Sequence, residues 1–95
     1  MALNGRFGEI NNTAIPANVD LLSSTGLIGI QTPESSKPNI TKLGIQAEEG
    51  TQFTLNGISC VIGKTGIFEL DNVVTIKSLV FPNGANSSTI IDYIY

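Results

Sequence analysis

The residues of this chain that could do chemistry are few, and each has a structural reading beside the chemical one. Gly63-Lys64-Thr65 matches the end of a phosphate-binding loop. That loop needs an earlier glycine separated by four residues from its Gly-Lys-Thr, so that a long turn can wrap the phosphates. The required position is Ile58, and Gly57 stands one place too early. The stretch between is apolar and strand-like, and no helical pattern follows. The spacing therefore predicts a tight turn with Gly63 and Gly66 at its corners. Cys60 is the one cysteine and the chain has no histidine. A reactive thiol needs a base or an electropositive setting. Cys60 alternates with Ile58 and Ile62, which predicts a core thiol.

The carboxylates are Glu9, Asp20, Glu34, Glu48, Glu49, Glu69, Asp71 and Asp92. Glu69 and Asp71 lie two apart and can share a strand face, but no calcium-loop pattern surrounds them. The expectation is no enzyme activity, no catalytic residue, no cofactor and no metal site. Asn11-Asn12-Thr13, Asn39-Ile40-Thr41 and Asn86-Ser87-Ser88 fit the glycosylation pattern. Without an apolar leader behind Met1-Ala2-Leu3-Asn4-Gly5-Arg6 they read as chance matches, in a protein expected to fold in a reducing cytoplasm. Phe53, Phe68 and Phe81 sit in apolar runs and read as core. Tyr93 and Tyr95 share a face of the last strand, where they could stack on a sugar ring.

A chain of 95 residues makes one domain. Apolar residues are 41% and charged residues only 14% of it. That is enough for a core, and Asn, Ser, Thr and Gln replace Lys and Glu on the polar face. A surface so poor in charge gives little protection against association, and it suits a subunit covered in an assembly. The net charge of −3, with five dispersed basic residues, argues against nucleic acid as a partner. No apolar run is long enough for a membrane span.

The elements that position these residues divide near residue 39. Residues 1–39 read as an extended, irregular arm and linker, carrying three of the four prolines (Pro16, Pro33 and Pro38). Pro16 to Ser24 could make a turn or two of helix, and Gln31 to Asn39 reads as linker. Residues 40–95 read as a β-domain of about six short strands. Thr41, Leu43, Ile45 and Ala47 alternate with polar positions, which is the period of a half-buried strand. Phe53-Thr54-Leu55 and Ile58 to Ile62 flank Asn56-Gly57, the strongest short hairpin signal. Ile67 to Leu70, Val73 to Phe81 and Thr89 to Tyr95 follow, with turns at Asp71-Asn72 and Pro82 to Asn86. The expected fold is all-β, a small antiparallel sandwich or barrel-like domain. Phe53, Ile58, Ile62, Phe68, Leu70, Ile76 and Ile91 are its expected core.

The segments Gly44-Ile45-Gln46, Gly50 to Gly57, Ile62-Gly63-Lys64-Thr65-Gly66-Ile67-Phe68-Glu69-Leu70, Ile76-Lys77-Ser78-Leu79 and Ile90-Ile91-Asp92-Tyr93-Ile94-Tyr95 carry a resemblance. Together they resemble a small β-domain of virion structural proteins from tailed phages and prophages of Gram-positive hosts. The likeness spans a little over half the chain. It implies a virion component, assembled in the bacterial cytoplasm. An arm joined to a β-domain suits a capsid decoration protein that binds the outer shell. Tail, neck or baseplate subunits and a host-surface or glycan-binding module are the alternatives. The implied partners are the major capsid protein or other virion subunits, with self-association allowed. The arm's apolar residues need a surface to cover. Phe7, Ile10, Ile15, Val19, Leu21 and Leu22 are the expected partner contacts, while residues 27–30 fold back on the domain as an added strand.

Overall fold

A computed structural model describes residues 7–31 and 40–94. Within them the protein is all-β, built from two antiparallel sheets. The strands are β1 (Phe7–Ile10), β2 (Ile40–Gln46), β3 (Gln52–Leu55), β4 (Ile58–Val61), β5 (Ile67–Ile76), β6 (Leu79–Val80) and β7 (Ile90–Ile94). One sheet has the order β1-β7-β2-β5 and the other β4-β3-β6. Alternation decides which face is buried. Leu43 and Ile45 on β2 and Ile91 and Tyr93 on β7 point inward, and Phe53 and Leu55 on β3 meet them from the other sheet. Phe53 is the junction of the two layers. Its ring meets Phe68 edge-on at 4.9 Å and Phe81 at 5.8 Å.

The β3–β4 hairpin is the one the sequence predicts. Asn56 and Gly57 have φ of 50° and 83°, the left-handed pair that a type I′ turn requires. Asn56 does more than turn the chain. Its Oδ1 accepts the backbone N–H groups of Lys77 (2.7 Å) and Ser78 (3.1 Å), and its Nδ2 donates to Thr75 O at 3.0 Å. The hairpin tip is thereby fastened to the corner between β5 and β6.

The division at residue 39 does not describe the packing. Residues 7–31 belong to the same core as the β-domain. β1 pairs with β7, with Gly8 opposite Tyr93 and Ile10 opposite Ile91. Gly8 is required there, because a Cβ would lie 2.2 Å from the Tyr93 ring. Past β1 the chain runs along β6. Ile15 exchanges backbone bonds with Ala85, and Leu21 N–H donates to Leu79 O at 2.9 Å. The Asp20 carboxylate accepts the N–H groups of Leu22 and Leu79. Isolated bridges and turns replace the helix expected between Pro16 and Ser24. Residues 27–30 do fold back on the domain, but not as a strand. Gly29–Gln31 is a 3-10 turn, and Ile28 is fully buried.

Three further expectations are corrected. Ile58 is 68% exposed, because it lies at the hairpin end of β4, the edge strand of its sheet, while Leu55 opposite it on the central strand is buried. Phe68 and Leu70 are half-buried, on the edge strand β5. Asp71-Asn72 is no turn. β5 runs through it to Ile76, and the chain breaks instead at Lys77-Ser78. Tyr95 and most of the expected linker lie outside the described residues.

Candidate interaction surface

Of the expected partner contacts, Ile10, Ile15 and Leu21 are buried in the chain's own core, at 4%, 3% and 0% exposure. A side chain already covered by its own fold is not available to a partner, so these three are structural. Leu22 is half-buried against the same core. Phe7 and Val19 remain exposed, and Phe7, at 68%, belongs to a larger surface.

That surface is the outer face of the four-stranded sheet, and strand register assembles it. The register places Phe7, Ile94, Lys42 and Asp71 in one row across β1, β7, β2 and β5. The next row reads Glu9, Asp92, Gly44 and Glu69, and the third Ile90, Gln46 and Ile67. Three carboxylates thus share one row, interrupted only by a glycine. An ideal Cβ on Gly44 would find nothing within 4 Å. The space it leaves is the floor of a depression of about 340 Å³, walled by Phe7, Lys42, Glu69, Asp71, Asp92 and Ile94.

Among the described residues this row is short of positive charge. Lys42 is its neighbouring cation, and its Nζ already lies 3.6 Å from Asp71 Oδ1. Glu9 is held above the ordinary 4.5 of a glutamate. The first cause is a hydrogen bond with the Asp92 carboxyl, which exists only while one of the two holds a proton. Desolvation and the Asp92 charge add to it, and Asn11 Nδ2, donating to Glu9 Oε1 at 3.0 Å, opposes it. Asp92 Oδ1 is shielded from solvent and accepts no hydrogen bond from the described residues. The face therefore combines a shaped floor, a partnerless carboxylate oxygen and exposed apolar groups at opposite ends, Phe7 and Ile67.

The other chemically interesting residues come apart. Lys64 and Thr65 lie in the exposed turn between β4 and β5, with Gly66 at φ 73°. Cys60 is half-buried and its thiol donates to Ile58 O at 3.6 Å. Tyr93 is 1% exposed, with its hydroxyl on Gln31 Oε1, so it offers no stacking platform. Among the described residues no group of three or more His, Cys, Asp and Glu converges to hold a metal ion. The acidic row escaped sequence reading because its members are far apart in the chain and meet only through the register of non-consecutive strands. No family model, curated protein or solved structure matches this chain.

Proposed function

We propose that the chain is a virion structural protein that decorates the capsid, and that the outer face of its four-stranded sheet attaches it to a neighbouring subunit. The sequence resemblance supports the virion setting. The observation that carries the attachment is the row Glu9, Asp92, Gly44, Glu69 beside exposed Phe7 and Ile67. A partner offering a lysine or arginine would place it over Gly44, where the carboxylates supply charge-assisted bonds. Its apolar flanks would cover Phe7 and Ile67. Interfaces of this kind take their energy from a few central contacts rather than from total area. The buried Ile10, Ile15 and Leu21 then serve to hold β1 and its Phe7 in place, one step removed from the partner.

Densitometry of purified particles from the strain that encodes the chain tests this reading. A decoration protein appears at a copy number comparable with that of the shell protein. A copy number of a few per particle moves the protein to the tail or baseplate, and its absence from particles overturns the proposal.

A further inference from the structure

Among the described residues the strand β4 is an uncovered edge. It closes one side of the sheet β4-β3-β6, and β3 is its only partner there. Edge strands are normally guarded by charge, proline, a bulge or a cover, since their free N–H and C=O groups invite another strand. β4 reads Ile58-Ser59-Cys60-Val61, with no charge and no proline, and its register with β3 is unbroken. Ile58 and Val61 are 68% and 59% exposed.

The direction of its free groups follows from the hairpin. A two-residue turn makes Leu55 and Ile58 a hydrogen-bonded pair, and alternation makes Phe53 and Cys60 the next. Ile62 N–H donating to Thr51 O at 2.9 Å continues the series. The backbone groups of Ser59 and Val61 therefore point away from β3.

We infer that β4 pairs antiparallel with β4 of a second copy, about a two-fold axis at Cys60. In that register Ser59 of each copy exchanges backbone bonds with Val61 of the other, so both outward-facing residues are satisfied. A register centred on Ser59 would instead require pairing by Gly57, whose φ of 83° takes it out of the strand. A second copy fits because β4 is neutral and self-pairing brings no like charges together. The same operation on β5, one edge of the four-stranded sheet, would crowd Glu69 and Asp71 of both copies, in a chain of net charge −3. The three-stranded sheet becomes a continuous six-stranded one, and Ile58 and Val61 gain neighbours. This dimer does not depend on the virion reading.

Sedimentation equilibrium of the full chain over a concentration series, under reducing conditions, tests it. The expected result is a shift from the 10.0 kDa monomer toward twice that mass. Val61→Lys and Ile58→Lys alter exposed side chains only, and circular dichroism reports whether each keeps its fold. Each variant that folds should dimerise at least about tenfold more weakly, from burying an unpaired ammonium. Mild oxidation should cross-link wild-type chains through Cys60, since facing residues of a non-hydrogen-bonded pair stand about 4.5 Å apart at Cα, within disulfide range. A mass that stays monomeric overturns the inference. So does a dimer that survives both lysine variants or never cross-links at Cys60.

Discussion

Replacing Asn56 tests how the β3–β4 hairpin is held to the rest of the molecule. Its side chain makes three hydrogen bonds, to Thr75 O, Lys77 N and Ser78 N. Each is partly open to solvent, so water replaces some of what is lost. Together they contribute about 1–2 kcal/mol, below the sum of isolated values. Asn56→Gly removes them while keeping the left-handed backbone at φ 50°. Asn56→Ala removes them and adds roughly 1 kcal/mol of backbone strain. The two variants should therefore fall in order, Ala below Gly below wild type. The alanine protein should melt roughly 10–20 °C lower than wild type for a domain of this size. Asn56→Asp keeps the acceptor for Lys77 and Ser78 and loses only the donor to Thr75, so it should fall between glycine and wild type. Thermal and urea unfolding followed by circular dichroism gives the ranking, with an unchanged urea slope showing that the unfolded state is the same. If Asn56→Gly melts with wild type, the side-chain bonds do not fasten the hairpin and the reasoning fails.

Other perturbations probe the core and the acidic row. Phe53→Ala should cost about 3–5 kcal/mol, close to the whole stability of a small domain, because Phe53 joins both layers and meets the rings of Phe68 and Phe81. A variant that still unfolds cooperatively near the wild-type midpoint would contradict its central place. Gly8→Ala should lower stability by about 1–3 kcal/mol, since the new methyl group meets the buried Tyr93 ring. An unchanged melting temperature would mean that β1 does not lie against β7 as described. Glu9 has a folded pKa raised above 4.5, so folding favours its protonated form, and the stability from this group is present below 4.5 and lost as pH rises through the raised value. Glu9→Gln mimics the protonated form at every pH. It should melt above wild type at neutral pH, with the difference vanishing on acidification below 4.5. A difference that persists in acid would assign the effect to something other than the Asp92 carboxyl.

The parts of the fold that were legible are those where a local rule and the tertiary context agree. Asn56-Gly57 declares its turn because few other pairs tolerate two positive φ angles in succession. Leu43, Ile45, Phe53 and Leu55 declare their faces because a two-residue period survives in any sheet that is buried on one side. The segment from Ile10 to Ile28 gave no such signal. Its buried residues, Ile10, Ile15, Leu21 and Ile28, enter the core singly from turns and isolated bridges, at spacings that match neither strand nor helix. The apolar character of Ile10, Ile15 and Leu21 was visible and their destination was not, which made them look like contacts for a partner, while Ile28 was expected against the domain. Ile58 shows the converse failure. Its alternation is correct, but β4 is the edge of its sheet, and periodicity carries no information about which strand lies at an edge. The interaction surface was hidden for a third reason. Glu9, Asp92, Gly44 and Glu69 become one row only when β7 inserts between β1 and β2 and β5 pairs with β2, and no local pattern specifies that order.

Gly44→Arg is the variant that tests the proposed attachment face most directly. The position has open space above it, and its backbone needs no left-handed conformation. An arginine there would lie between Asp92 and Glu69, fill the depression and neutralise the row. Fold and melting temperature should be kept or improved, since the new cation relieves like-charge repulsion. Attachment should be lost, because the site is occupied from within. The decisive measurement is the amount of Gly44→Arg protein, relative to wild type, that co-purifies with particles when both are supplied at equal concentration. The expected result is a folded variant that is absent from the particles. A Gly44→Arg protein incorporated at the wild-type level would contradict it, and would place the attachment on another face of the molecule.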